Sequence, residues 1–291
     1  MPVKHWIEKF EASLTSTRRQ PLASKIFFKS IVCYALVKVI LIWNVSNVML
    51  QYHNISLPRS LVGKIALAPA FLTNIHPNLF QSVVGALLLV ILIVGPNYIA
   101  NVAFCWLALN LAVVYHPLGN GADLILLMLS VWCIPLDSKD YFSSSKLGTV
   151  QVASFNVARL LLQWQIIFVY MSSGLDKILS EAWRSGQAFQ FIRHFQGLYN
   201  PTFPSVFQTP FWDFVLAWVT IIFELSFGAL VWNRFARKKV LTIGLVFHIV
   251  IWWMLSLPDF AMIMALSLLI FLEDADYYLL VGGKRVGSYE L

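Results

Sequence analysis

The stretch YMSSGLDKILSEAWRSGQAFQF, Tyr170–Phe191, decides how the chain is read. Before it lies an apolar run; within it Gly174, Asp176, Lys177, Glu181, Trp183, Arg184 and Gly186 follow within a few turns. Ionisable residues gathered at the edge of an apolar segment point to function when the solvent is a bilayer. The composition requires that solvent. Of 291 residues, 59% are hydrophobic and only 12% charged, and the mean hydropathy is +0.72. A soluble domain carries about 25% charged residues. So much apolar surface exceeds what one aqueous core hides, and it is expected to face lipid.

Working outward, the apolar runs predict an all-α, polytopic transmembrane helical bundle of about eight spans. They lie near Ile26–Val48, Leu79–Val94, Ile99–Val114, Leu124–Leu136, Val152–Ser173, Phe211–Trp232, Val240–Leu257 and Phe260–Leu272, with an extension of the last to Leu280 as the alternative. Gly95-Pro96-Asn97 marks a turn between the second and third. The segment LVGKIALAPAFL, 61–72, is too short to span and reads as interfacial or re-entrant. Residues 1–25 form a basic tail, 26–280 the membrane domain and 281–291 a second tail. Basic residues gather in the N-terminal tail, in Arg234, Arg237, Lys238 and Lys239, and in Lys284 and Arg285, whereas the short loops HPLGNGAD and LPD have none. The positive-inside rule then places both termini in the cytoplasm of a multi-pass cell (inner) membrane protein, with Lys177, Asp123 and Asp259 at the outer face.

The formal net charge of +7 does not imply nucleic acid, because the basic residues sit in short inter-span segments. Cys33, Cys105 and Cys133 lie inside apolar runs with no zinc or redox spacing, so no metal is expected.

Each polar residue of interest has two readings. Lys177 is either a lysine favoured by a helix C-terminus and reaching headgroups, or a partly desolvated group that acts as a base at neutral pH. Glu181, at i+4, is its expected partner. Glu224 falls inside a span, where a carboxylate costs on the order of 3 kcal/mol. It is expected to pair within the bundle, with a group on the seventh span, or to line a wet cavity. His248 is a satisfied core histidine or a site residue. Lys38 lies deep in the first span and should face other helices or water. Gly174 lets the helix end or bend, and Trp183 belongs to an interfacial aromatic belt.

The ordered set of segments resembles the horizontally transferred transmembrane (HTTM) domain family, which includes the membrane part of vitamin K-dependent gamma-carboxylase. RLLLQWQIIFVYMSSGLDKILSEAWRSGQAF (159–189) carries the family's R…Q…Y helix, its lysine segment and W-x-x-G; Glu224, a basic loop and FHIVIWWMLSLPDFAMIMALSLLIF (247–271) follow; NGAD precedes. The resemblance covers roughly 25–280. It implies a quinone-like cofactor of the vitamin K hydroquinone kind, with Lys177 as base, His248 as a second catalytic residue, and Trp183, Gly174 and Glu224 around the cofactor. The spacing from lysine to tryptophan is one residue longer than in the carboxylase, and the likeness is to its membrane part alone. Standalone bacterial members include the membrane component of a sporulation-delaying toxin maturation system. That implies an alternative: a non-catalytic partner, beside a companion maturation protein, in maturation or export of a secreted peptide. Such a partner would expose an aromatic surface in 178–211. A third class, a transporter or small-molecule binder, calls for inverted repeats and broken helices, and no such pair is visible.

Overall fold

The computed structural model describes residues 21–43, 60–116, 121–137, 146–195 and 197–280. Residues 1–20, 44–59, 117–120, 138–145, 196 and 281–291, which include the end of the first predicted span, most of the N-terminal tail and the C-terminal tail, lie outside the described residues. Everything regular within them is helical. In chain order the helices are α1 Pro21–Leu41, α2 Leu61–Ala66, α3 Leu72–Ile75, α4 Pro77–Val94, α5 Tyr98–Tyr115, α6 Ala122–Cys133 and α7 Lys146–Leu179. There follow α8 Glu181–Arg184, α9 Gln187–His194, α10 Pro210–Val231, α11 Arg237–Leu255, α12 Pro258–Ser267 and α13 Asp274–Leu280.

Each of the eight apolar runs is a helix, but their fitness to cross a bilayer differs. Among the described residues, α4, α5, α7, α10 and α11 are long and apolar enough. The helix α1 has the length, 21 residues, but carries Lys25, Lys29 and Lys38. The helices α6 and Pro258–Phe271 are shorter than the roughly 20 residues that a bilayer core requires. The last run does not continue to Leu280. A 3₁₀ turn at Leu268–Phe271 ends it, and Glu273 N–H donates to Asp276 Oδ2 at 2.9 Å as α13 begins.

The chain divides into two compact units, 1–162 with 272–291, and 163–271. In the first unit, α1, α4, α5 and α6 bury Phe27, Phe28, Phe80, Phe104, Leu107 and Leu126. Phe28 and Phe104 meet edge to face, 5.5 Å between ring centres. Several buried polar groups of this unit are tied to backbone groups. Asn101 Nδ2 donates to the Cys133 carbonyl at 2.8 Å. Arg159 donates to the Leu272 carbonyl at 2.6 Å. The Asp274 carboxylate accepts from Ala23 N–H at 2.7 Å, placing an anion on the orphan donors at the start of α1. The short helix α2 is tied to α5, and α3 packs on α4. Asn110 donates to the Ala66 carbonyl and accepts from Ala70 N–H, both at 3.0 Å.

The second unit holds the C-terminal part of α7 together with α8–α12. Here Ile166, Tyr170, Ala217, Ile221, Phe227 and Ile263 are buried. Between α7 and α10 the chain turns back in a compact, aromatic segment, 180–209. It is built on Phe189, Phe203, Ala217 and Met254, with Trp183, Tyr199 and Phe207 packed around them. Gly186 fixes its entry. Its φ is +82°, and an added Cβ would stand 2.7 Å from Phe214 N, so only glycine lets the turn press on α10. Arg193 grips Asp213 through both carboxylate oxygens, and Asn200 N–H donates to the Met254 carbonyl at 3.0 Å.

Candidate functional site

The helix α7 runs unbroken from Lys146 past Gly174 to Leu179. Gly174 does not end it. Its missing side chain instead admits α10: a Cβ there would meet Leu225 Cδ2 at 2.9 Å and Glu224 Cβ at 3.1 Å. Small residues at such crossings let helices in lipid approach closely. The approach brings Glu224 under the last turn of α7, which carries Lys177. Tyr170, Ser173 and Lys177 are spaced i, i+3 and i+7, so they share one helix face toward α10 and α11.

Lys177 Nζ stands 3.0 Å from Glu224 Oε1 and 2.9 Å from Oε2, and it also donates to Ser173 Oγ. Ser173 Oγ donates in turn to Glu224 Oε1 at 3.3 Å. All three ammonium hydrogens therefore have acceptors. The Trp183 ring lies beneath the ammonium, 5.0 Å from its centre, adding a cation–π contact. Two expectations are corrected here. Glu181 is not the partner of Lys177: α7 stops at Leu179, Ser180 is extended, and Glu181 opens α8 and is exposed. Glu224 pairs with the fifth predicted span, not the seventh.

His248 is buried and Nε2 lies 2.6 Å from the Tyr170 hydroxyl. Its Nδ1 has no protein partner. Tyr170 is clamped between Phe223 and Phe227, with ring centres 5.6 Å and 4.1 Å away. His248 thus sits behind the wall formed by Phe223 and Phe247, and is not itself among the cavity-lining residues.

That wall encloses a cavity of about 510 Å³. Its lining comes from Lys177, Trp183, Phe189, Ile192, Leu216, Val219, Thr220, Phe223 and Glu224, and along α11 from Thr242 to Leu255. Of the expected site residues, Lys177, Glu224 and Trp183 meet in this cavity; Gly174 supports it from behind; His248 stands one layer away. The volume lies within the range of about 300–1,000 Å³ typical of ligand sites, which combine apolar walls with a few convergent polar groups. Among the described residues no group of three metal-ligating side chains converges.

Two other acidic residues singled out from the sequence, Asp123 and Asp176, do not line this cavity. Asp123 belongs to the first unit, where it is buried 2.8 Å from Lys38 Nζ. Asp176, next to Lys177 in sequence, is exposed and about 100° around α7 from it. Ser173 and Tyr170 were not singled out from the sequence, although their spacing to Lys177 is the signal that identifies them.

No family model matches the chain, and no solved structure matches it. One curated protein is similar. The sporulation-delaying protein SdpB of Bacillus subtilis (strain 168) is 24% identical over 147 residues, covering 43% of this chain and 44% of that protein. The chain thus matches less than half the length of that relative. With its apolar helices, this likeness supports an integral membrane protein.

Proposed function

We propose that the chain is an HTTM-type protein of the cell (inner) membrane whose second unit binds a quinone-like ligand and handles its proton at Lys177. The observation that carries this reading is one cavity, otherwise nearly all apolar, with a lysine–glutamate pair set in its wall. A flat ring with oxygens on its rim fits such a place: aromatic walls for its faces, one cation and one anion for its edge. When bound, a hydroquinone supplies an acidic O–H and a site for oxidation.

The chain's own contribution is proton placement. Across the 2.9 Å between Lys177 Nζ and Glu224 Oε2 a proton can shift, leaving a neutral amine beside a neutral acid. That exchange changes no net charge in an apolar wall, where separated charges are costly. The amine lone pair is then a base, and Ser173 holds its orientation. Arginine keeps its proton at any accessible pH. Lys177→Arg should therefore abolish a proton-dependent function as fully as Lys177→Ala, whereas a headgroup anchor would tolerate arginine. The binding step is tested with a naphthoquinone carrying a four-isoprene tail, added to the protein in lipid nanodiscs. Saturable binding weakened at least about tenfold by Lys177→Met, or about 1.4 kcal/mol, supports the reading. Equal binding by both proteins contradicts it.

A second reading, partnership in maturation or export of a secreted peptide, is favoured by a different observation. The segment 178–211 exposes Leu179, Phe191, Phe195, Val206 and Phe211. The similar protein is itself a sporulation-delaying protein by name. Phe191→Ser with Phe195→Ser separates the two readings, since it should spare quinone binding and impair peptide handling. The proposed orientation, both termini cytoplasmic, is checked by labelling from outside. Gln187→Cys should react and Arg234→Cys should not; the reverse overturns it.

A further inference from the structure

The cavity's lining residues differ in what lies on their other side. Phe189, Met254 and Glu224 are only 4–6% exposed and form a closed inner wall. Val219, Ile243 and Val246 also line it, yet are 54–55% exposed on the outward faces of α10 and α11. Residues that face both the cavity and the exterior are its rim. The rim is aliphatic. Thr242, beside it, turns its hydroxyl to the Lys238 carbonyl at 3.0 Å, so its polar atom is spent within its own helix. The exterior next to the rim is equally apolar: Ile222 and Ile249 are exposed on the same two helices. Both helices are long and apolar enough to cross a bilayer, so this exterior is lipid.

From this we infer that the cavity opens sideways between α10 and α11, and that its ligand is a single-headed molecule with a linear apolar tail that enters from the bilayer and leaves its tail there. This rests on the proposed ligand site and adds its route and tail requirement. The head belongs at Lys177 and Glu224, because among the described residues no other charged side chain lines the cavity. From Thr242 to Leu255 the lining follows α11 for 13 residues' rise, about 20 Å. A chain can thus lie along the helix before passing Val219 and Val246 into lipid. A water-soluble ligand would have to reach the same pair past the aromatic segment 180–209, which closes that end with Trp183, Phe189 and Ile192.

Two arms test the inference, both in lipid nanodiscs. In the first, the unaltered protein is offered naphthoquinones with tails of four and eight isoprene units. An open mouth leaves the added units in lipid, so the affinities should agree within about threefold; a sealed cavity would reject the longer tail by tenfold or more, about 1.4 kcal/mol. In the second, Val219→Trp with Val246→Trp fills the rim, and Ile222→Trp serves as a lipid-facing control. The rim variant should bind the four-isoprene ligand at least about tenfold more slowly, and the control at the unaltered rate. Binding that is equally fast in all three proteins overturns the lateral route while leaving the site at Lys177 standing. Rejection of the longer tail overturns the open mouth. No binding of either ligand to the unaltered protein overturns the site itself and the inference with it.

Discussion

Among the described residues each unit of the molecule contains a buried or half-buried lysine–carboxylate pair, and the two differ in what surrounds them. In the first unit Lys38 and Asp123 meet at 2.8 Å with side chains 0% and 5% exposed. In the second, Lys177 and Glu224 meet at 2.9 Å with side chains 16% and 7% exposed. The chemistry is the same and the distances nearly so. The first pair lies among packed helices; the second forms the polar part of a cavity wall. A sealed pair has nothing to exchange with and acts on folding. A pair beside open volume has room for a ligand, and the proposed function rests on it. Charge inside a membrane helix is therefore a weak guide to function until the volume beside it is known.

The comparison breaks first at the sealed pair. Asp123→Leu removes the carboxylate 2.8 Å from the buried Lys38 ammonium, and should cost about 3–5 kcal/mol. The folded fraction surviving detergent extraction, read by size exclusion, should collapse. Replacing both, Lys38→Met with Asp123→Leu, should restore much of it, since well-packed apolar residues often substitute for a buried pair at little cost. A smaller loss follows at the open pair. Glu224→Leu removes an acceptor shared by Lys177 and Ser173, for about 1–3 kcal/mol. Glu224→Gln keeps a hydrogen-bonding oxygen and should unfold at a higher temperature than Glu224→Leu. Equal thermal stability of the two would place Glu224 in water rather than in the pair.

Gly186→Ala comes next. The left-handed backbone and the 2.7 Å approach to Phe214 N both resist a side chain. Backbone strain of this kind is worth about 1–3 kcal/mol. The loss should appear locally, as faster hydrogen exchange in 181–195, because the turn seats the aromatic segment on α10. Exchange unchanged from the parent would mean that Arg193 and Asp213 alone hold the segment. The smallest effect belongs to Phe191→Ser. This exposed residue is outside the cavity lining, so stability should shift by no more than about 0.5 kcal/mol. A larger destabilisation would show that the exposed aromatic face is part of the fold.

Helix existence was legible in the sequence because long apolar runs admit little else in lipid. Gly95-Pro96-Asn97 did mark a turn: Gly95 takes φ +77° and Asn97 caps α5. Span status was less legible. A run such as Ala122–Cys133 is apolar enough but too short, and hydropathy alone does not separate the two. At the site, Lys177, Glu224 and Trp183 stood out as polar or amphipathic residues in an apolar context, and the structure gathers them. Their pairing was not legible. Glu181 lay at the favourable i+4 position, but that rule assumes one continuous helix, and α7 ends at Leu179 between the two. Gly174 read as a break because glycine ends helices in water; between packed helices the same missing Cβ serves close approach. Asp123 sat beside a turn in sequence, yet it is the first acidic residue of α6, and its side chain points inward to Lys38.

The direct test of the difference between the two pairs is naphthoquinone binding, four-isoprene tail, to nanodisc-embedded protein carrying either Lys177→Met or the combined Lys38→Met and Asp123→Leu. Lys177→Met should weaken binding at least about tenfold, or about 1.4 kcal/mol, while leaving the folded fraction near that of the parent. The double replacement in the first unit should bind as the parent does once folded. Intact binding in Lys177→Met, or binding lost only in the folded double variant, would contradict the assignment of the site to the second unit.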